Sequence, residues 1–350
     1  MPQALADITP RLKRLIVRSP NWIGDAIMAT PAVRALARRF AAAHIAILAK
    51  PWVAPVFIDN PHVDEVVVYD SEGGHKGIAG RLRLGRHLRR KAYDGAISLP
   101  NAIDAALIFQ AAKIPLRGGY DTDFRRPLLT HAVHRTPEIK RRHQVRYYLT
   151  LLAALGVPAE DEHLELITGA GARRQARATL AAAGIDADAP LLGINPGAAY
   201  GTAKRWHPER FAQVADHLQH EYGLQVLIFG SAGERPVAEA VARLMHTPAV
   251  NLAGQTGLDE AMAIIERCRL FITNDSGLMH VAAALKVPLV AIFGPTNAAV
   301  TRPWSLVASV VRDPVDCAPC MQRECPLRHH ACMAYIDTER VLRAARGYLT

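Results

Sequence analysis

Long apolar runs are missing from this 350-residue sequence. Half of its residues are hydrophobic, yet no run approaches the roughly 18 to 20 residues that a membrane-spanning helix needs. Hydrophobic content spread in this way suits buried cores, and the length is enough for two ordinary domains. The opening residues, MPQALADITPRLKRLIVRSP, place a strand where a secretory signal would have its apolar segment, and nothing after them resembles a cleavage site. A cytoplasmic location is therefore expected. Two glycine-rich signatures are absent as well. Neither half contains G-x-G-x-x-G, which argues against a hydride-transferring dehydrogenase, and no stretch fits G-x-x-x-x-G-K-[ST], which argues against a nucleoside triphosphatase. No repeat of solenoid period is found. Aromatic residues make up only 6% of the chain and are not interleaved with its arginines, so a nucleic-acid-binding surface lacks its usual composition.

Cysteine is scarce, with five in all, but four are clustered: Cys317-x2-Cys320-x4-Cys325-x6-Cys332, with His329 and His330 alongside. Disulfides are rare in the cytosol. Two readings stand for this Pro-rich stretch: a structural tetrahedral zinc site of four thiolates, or reduced thiols that pack or face solvent. Acidic residues are scarce in one half. Residues 1–150 carry 24 Lys and Arg against 12 Asp and Glu, whereas the remainder carries 18 against 20. The basic half should meet something anionic: a nucleic acid, a membrane surface or an acidic substrate.

What the sequence does have is alternation. Strands are expected at Leu15–Ser19, Ile45–Ala49, Val66–Tyr69, Ala96–Leu99 and 117–120. Helices are expected from Ala26 to Leu36, with Pro31 either kinking the helix or lying in its first turn, and over Ile78–Lys91, Ala102–Ala112 and Gln144–Leu155. After an irregular stretch ending in GIDADAP the pattern restarts, with strands at Leu191–Asn195, Gln225–Phe229, Leu270–Ile272, Leu289–Phe293 and Leu306–Val311. The helices between them are expected over Pro208–Tyr222, Pro236–Met245, Leu258–Cys268 and from Met279 to Leu285, with a last one over Thr338–Tyr348. Two α/β halves with parallel sheets follow from this pattern.

The polar residues concentrate where strands end. The stretch from Asn195 through Gly201, Thr202, Lys204 and Arg205 is a Gly- and Ala-rich turn that brings two cations to a helix start; small residues admit an anion to backbone N–H groups and Lys204 adds a charge. Gly230 to Glu234 is a second such turn. Glu234 there could accept two ribose hydroxyls or could simply favour a helix N-terminus. Asn274, Asp275, Ser276 and Gly277 form the third, followed by Leu278 and His280 on a helix; this is either a phosphate site at a helix start or a helix cap. In the first half Asp25 follows Gly24 at a strand-to-helix loop, where it is either an N-cap or a general base.

Three ordered stretches, RSPNWIGDAIMATPAVRAL, INPGAAYGTAKRWHPERF and TNDSGLMHVAAALKVPLVAIFGPT, together with the tail CAPCMQRECPLRHHACM, resemble glycosyltransferase family 9, the bacterial ADP-heptose:lipopolysaccharide heptosyltransferases. The likeness covers nearly the whole chain. The SPNWIGD form and the tail resemble members that add the second heptose more than those that add the first. The resemblance implies a GT-B fold of two facing Rossmann-like domains with a cleft between them: an acceptor domain over 1–165, an ADP-sugar donor domain over 185–330, and a terminal helical segment, 331–350, returning to the first domain. It implies inverting transfer of L-glycero-D-manno-heptose from ADP-L-glycero-D-manno-heptose to the first heptose of a Kdo-lipid A inner core, through an α-1,3 linkage. No metal would be needed for the chemistry, and the enzyme would sit at the cytoplasmic face of the inner membrane.

Residue by residue, Asp25 matches the family's base, Lys204 a lysine at the donor phosphates and Glu234 an acid at the ribose. Asp275, Ser276, Gly277 and His280 match the donor-sugar and phosphate motif, with Thr202 and Leu278 beside them, and Leu252, Ala253 and Gly254 would lie near adenine. Arg81, Arg83, Arg86, Arg125, Arg126, Arg141 and Arg142 are available for the acidic acceptor, the last four being the expected contacts. The other readings are a family member acting at a different core position and, from another class, a basic nucleic-acid-binding protein with a zinc module. Binding of ADP without binding of duplex DNA would exclude the latter.

Overall fold

A computed structural model describes residues 12–186 and 188–349. Residues 1–11, which opened the signal-peptide reading, Ala187 of the GIDADAP stretch and Thr350 lie outside the described residues. The chain divides into two compact units, Met1–Ile167 and Thr168–Thr350.

The first unit runs β1 (Arg14–Arg18), α1 (Ile23–Met28), α2 (Thr30–Arg39), β2 (His44–Ala49), α3 (Pro55–Ile58), β3 (Glu65–Val68), α4 (Gly77–Arg90), β4 (Gly95–Ser98), α5 (Ile103–Ala111), β5 (Leu116–Tyr120), β6 (His131–Val133), α6 (Pro137–Arg141) and α7 (Gln144–Ala154). Its six strands are all parallel, in the order β3-β2-β1-β4-β5-β6. The helix expected from Ala26 onward is two helices. Pro31, in the first turn of α2, has no N–H to give the Ile27 carbonyl, and the Thr30 hydroxyl donates to that carbonyl instead at 2.8 Å. On α4 the buried positions Gly80, Leu84 and Leu88 recur every fourth residue and turn the arginines outward. Ile16, Leu48, Val67, Leu84, Leu88, Ile108 and Phe109 belong to one buried cluster.

The second unit runs α8 (Ala170–Ala182), β7 (Leu191–Asn195), α9 (Pro208–Tyr222), β8 (Gln225–Ile228), α10 (Arg235–Leu244), β9 (Ala249–Asn251), α11 (Leu258–Ile265), β10 (Cys268–Asn274), α12 (Gly277–Ala284), β11 (Leu289–Phe293), α13 (Ala298–Thr301), β12 (Ala308–Arg312), α14 (Ala331–Ala334) and α15 (Thr338–Arg346). Its sheet is again six parallel strands, in the order β12-β11-β10-β7-β8-β9. Counted from each unit's first strand, both sheets have the doubly wound order 3-2-1-4-5-6, whose direction reverses between the first and fourth strands. The fold is GT-B in class. The edge strands β6 and β9, three residues each, carry too little pattern to be seen in the sequence.

The last segment departs from expectation. Val341, Leu342, Ala345 and Leu349 share a core cluster with Leu192, Ile194, Trp206 and Phe211, and α15 packs on α9, β11 and β12. Trp206 Nε1 donates to the Ile336 carbonyl at 2.9 Å, and Arg210 Nη1 donates to the Ala334 carbonyl at 2.6 Å. Residues 331–350 are thus part of the second unit rather than a separate segment belonging to the first. The reason is the apolar stripe of α15, which completes the second core.

Candidate functional site

In an open parallel sheet of this order, loops leaving the first and fourth strands diverge and open a crevice at the carboxyl edge. In the second unit those strands are β7 and β10, and the expected donor residues fall there. Asn274, the last residue of β10, is fully buried. Its Oδ1 accepts from the Trp206 backbone N–H at 3.0 Å, and its Nδ2 donates to the Pro196 carbonyl at 2.7 Å. One amide thus fastens both ends of the 196–206 loop to the end of the neighbouring strand. Asn195, closing β7, donates to Ser276 Oγ at 2.8 Å, and Thr273 lies 3.1 Å from the same hydroxyl.

The loop brings Lys204 onto Asp275. Nζ and Oδ2 are 2.6 Å apart, with side chains 13% and 6% exposed, and Thr296 Oγ1 donates to the same carboxylate oxygen at 2.7 Å. Ser276 caps α12, accepting from the Met279 N–H at 3.4 Å. The two readings of this stretch therefore divide between neighbours: Ser276 is the cap, and Asp275 holds the lysine. Gly277 and Leu278 are half-buried in the first turn of α12, His280 is buried one turn on, and Thr202 is exposed on the loop. The loop is braced from behind by the cysteine-rich segment. Ala203 N–H donates to the Arg323 carbonyl at 3.0 Å, Tyr200 Oη to the Met321 carbonyl at 2.8 Å, and the Tyr200 ring lies 5.0 Å from Lys204 Nζ.

Glu234 closes a capping box with Ser231, whose N–H and Oγ both donate to Oε2 at 2.8 Å. Its Oε1 lies against Gly197, where an added Cβ would come within 2.4 Å. Glycine at 197 therefore lets the turns after β7 and β8 touch. Leu252 and Ala253 are buried, so only their backbones face the edge. Gly254 has a φ of +72° and sits where a Cβ would meet the Ala232 backbone at 2.8 Å, which ties the turn after β9 to the turn after β8. The donor-side expectations thus converge on one edge. Asn195 was named only as the start of its loop, and Thr273 and Thr296 were not singled out from the sequence; each lies at or just beyond a strand end, and that placement was the available signal.

In the first unit Asp25 lies in the first turn of α1, but the N-cap is Trp22. The capping alternative for Asp25 is corrected accordingly, since the helix begins at Ile23, three residues earlier than a cap at Asp25 would place it. Its charge adds to burial in pushing the Tyr148 hydroxyl, on α7, well above its ordinary range. The arginines expected to meet the acceptor separate. Arg126, Arg141 and Arg142 are exposed. Arg125 is fully buried: its Nε donates to the Tyr120 carbonyl at 2.7 Å and its Nη1 to Ser98 Oγ at 3.0 Å, and burial lowers its pKa to about 10. It clamps the ends of β4 and β5 rather than reaching outward, a correction that charge counting could not supply.

Cys317, Cys320, Cys325 and Cys332 line one pocket with His329 and His330. Burial first, and then the three neighbouring thiols, push Cys332 up to about 11. Among the described residues no group of three or more His, Cys, Asp or Glu side chains is disposed to hold a metal ion.

Residues 81–331 match the family model described as Glycosyltransferase family 9 (heptosyltransferase). The chain is 33% identical to lipopolysaccharide heptosyltransferase 2 of Salmonella typhimurium LT2, covering 96% of this chain and 99% of that protein. It is 34% identical to the protein of the same name from Escherichia coli K12, over 85% and 88%. The solved structure of E. coli ADP-heptose lps heptosyltransferase II superposes with a TM-score of 0.83 at 31% identity, covering 96% and 98% of the two chains. The chain belongs to glycosyltransferase family 9, the heptosyltransferases.

Proposed function

We propose that this protein is an inverting glycosyltransferase that moves L-glycero-D-manno-heptose from ADP-L-glycero-D-manno-heptose to the first heptose of the Kdo-lipid A inner core, forming an α-1,3 linkage. The observation that carries the donor half is Lys204 held at 2.6 Å from Asp275 beside the N-terminus of α12. An ammonium has three N–H donors, so Lys204 can stay on Asp275 and still meet a diphosphate. The partial positive charge of the helix start adds to it. The acceptor half rests on the relatives' shared name and on the basic composition of residues 1–150.

The acceptor hydroxyl attacks the anomeric carbon from the face opposite the departing ADP. Asp25 takes the hydroxyl proton as the new C–O bond forms, and the electron pair of the broken bond leaves on the diphosphate. Lys204 and the backbone N–H groups of the 276–278 turn stabilise that charge, so the chemistry asks nothing further of a metal. Glu234 takes the ribose hydroxyls, and the backbone of 252–254 borders adenine. The enzyme works at the cytoplasmic face of the inner membrane as a peripheral protein, and no helix of the described residues is long and apolar enough to cross one. Nucleic acid is not its partner.

The test is incubation with ADP-heptose and lipopolysaccharide truncated after the first heptose, read by mass and linkage. A gain of one heptose at the expected position supports the reading. A product linked elsewhere in the core would move the assignment to another member of the family, and no product with any truncated core would reject it.

A further inference from the structure

The carboxyl edge of the first sheet carries a group of residues that the donor and base assignments leave unused. Arg18 ends β1, Lys50 follows β2 and Tyr69 follows β3, on three adjacent strands. Arg18 is fully buried and Lys50 is 6% exposed. Both cations lie over the Tyr69 ring, at 5.3 Å and 4.1 Å from its centroid. Tyr69 Oη donates to Asp104 at 3.2 Å, and Arg81 Nε donates to the same hydroxyl at 3.3 Å. Among the described residues neither Arg18, Lys50 nor Arg81 makes an ion pair: Lys50 donates to Ser71 Oγ, and the carboxylates that act on it, Asp104 and Glu72, do so without direct contact. Arg18 spends its guanidinium on the Ser19 and Leu48 carbonyls and on Asn21 Oδ1, and its Nε has no hydrogen-bond partner. Burying like charges side by side is unfavourable. Burial lowers the pKa of Arg18 to about 10, and the like-charge effect shows at Lys50, whose pKa is lowered by burial and then by Arg18.

Above these charges the surface is aromatic. Trp22 and Trp52 are exposed by 52% and 43%, whereas Trp206 is fully buried. Trp52 Nε1 donates to the Asn21 carbonyl at 2.9 Å, which joins the turns after β1 and β2, and its ring lies 5.8 Å from Lys50 Nζ. Exposed tryptophan rings beside cations without a direct carboxylate partner suit an anionic sugar: the ring faces take apolar C–H surface, and the charge takes an oxyanion.

We propose that the carboxyl edge of β1, β2 and β3 is a subsite for an acidic sugar of the acceptor, with Lys50 meeting its carboxylate or phosphate, Trp22 and Trp52 flanking its ring, and Arg18 acting as a buried positioning charge. This rests on the reading of the chain as a transferase to an acidic glycan. Lys50→Met in the full-length protein should raise the KM for the acceptor about 10- to 100-fold, the effect of losing a charge-assisted hydrogen bond. Its kcat and its affinity for ADP should stay within about threefold, and the rise of acceptor KM with salt should be shallower than in the wild type. Trp52→Leu should raise the same KM without changing that salt dependence. Arg89→Met, removing an exposed cation on α4, is the control and should leave the acceptor KM near the wild-type value. An unchanged acceptor KM in folded Lys50→Met overturns the proposal.

A second arm needs no glycosyl transfer. Inorganic phosphate is titrated against wild type and Lys50→Met while tryptophan fluorescence is followed. A response that requires Lys50 supports the subsite even if no lipopolysaccharide is glycosylated, and identical curves for the two proteins reject it. Failure of transfer alone counts against the functional reading, whereas failure of the Lys50 dependence counts against the subsite.

Discussion

The two sheets share strand order and parallel sense, yet their carboxyl edges are furnished differently. At the second edge the turns are small and close: Gly197 lies against Glu234, Gly254 against Ala232, and Lys204 is matched by Asp275. At the first edge long side chains fill the same positions, with Arg18, Lys50, Tyr69 and the clamp Arg125 buried at strand ends. Backbone amides and a paired lysine suit a diphosphate, whose shape is constant. Side-chain cations and exposed tryptophans suit a ligand recognised by its charge and its sugar faces. The topology fixes where a ligand binds in each unit, and the turn residues fix what it can be.

The comparison is tested most severely at Asp25, the base in the proposed function. Asp25→Asn keeps the shape and removes the base, so kcat should fall by about 10² to 10⁴ while ADP affinity stays within a few-fold. Because Trp22 and not Asp25 is the N-cap of α1, loss of a cap cannot account for such a fall. Near-normal kcat in folded protein would leave the first edge without a base. Next in size is the staple of the second edge. Asn274→Ala leaves the buried Trp206 N–H and Pro196 carbonyl without partners, at a cost of about 2 to 4 kcal/mol of stability. Its denaturation midpoint should drop accordingly, and a shift below what one lost hydrogen bond gives would mean that the 196–206 loop is held by other contacts. Lys204→Ala should weaken ADP binding by about 1 to 3 kcal/mol, measured by calorimetry, with acceptor binding unaffected. Equal loss of both affinities would blur the division between the edges.

Much of this was legible in the sequence, and the parts that were not have physical causes. Parallel strands buried on both faces appear as short runs such as LLGIN and LVAIF, so ten of the twelve strands were found from pattern alone. The turns of the second edge were also legible, because Gly, Asn, Asp and Ser concentrate there for conformational reasons. Burial of charge was not. Arg125 and Arg126 are neighbours in sequence, and only the fold makes one a clamp between β4 and β5 and the other a surface residue. Arg18 and Lys50 were not singled out for the same reason. The final helix was misassigned because its apolar stripe announces that it packs, not on which core.

A smaller effect compares how the two units hold the chain on either side of their boundary. In the first, Arg34 is almost wholly buried and donates to the Asp161 and His163 carbonyls at 3.3 and 2.8 Å, besides pairing with Asp161 at 2.8 Å. In the second, Arg173 on α8 pairs with Glu266 just beyond α11, at 2.8 and 2.9 Å, and Thr168 Oγ1 donates to Glu266 at 2.6 Å. The Arg173 hydrogen bond, more than any other influence, holds the Glu266 carboxyl below its usual range. A carboxylate whose folded pKa is depressed contributes stability that is present above its unfolded value, about 4.3, and is lost as pH falls through the folded one. The pair is partly exposed, so Glu266→Gln should cost only about 0.5 to 1 kcal/mol at pH 7. The difference from wild type should narrow as pH falls below about 4.3 and close only below the depressed folded pKa. The first-unit clamp keeps its carbonyl acceptors at any pH, so the deficit of Arg34→Met should persist there. Hydrogen exchange of α8 and α2 in the two variants at pH 7 and pH 3.5 reads both. A Glu266→Gln deficit as large at pH 3.5 as at pH 7 would mean that the glutamate acts by packing rather than by charge.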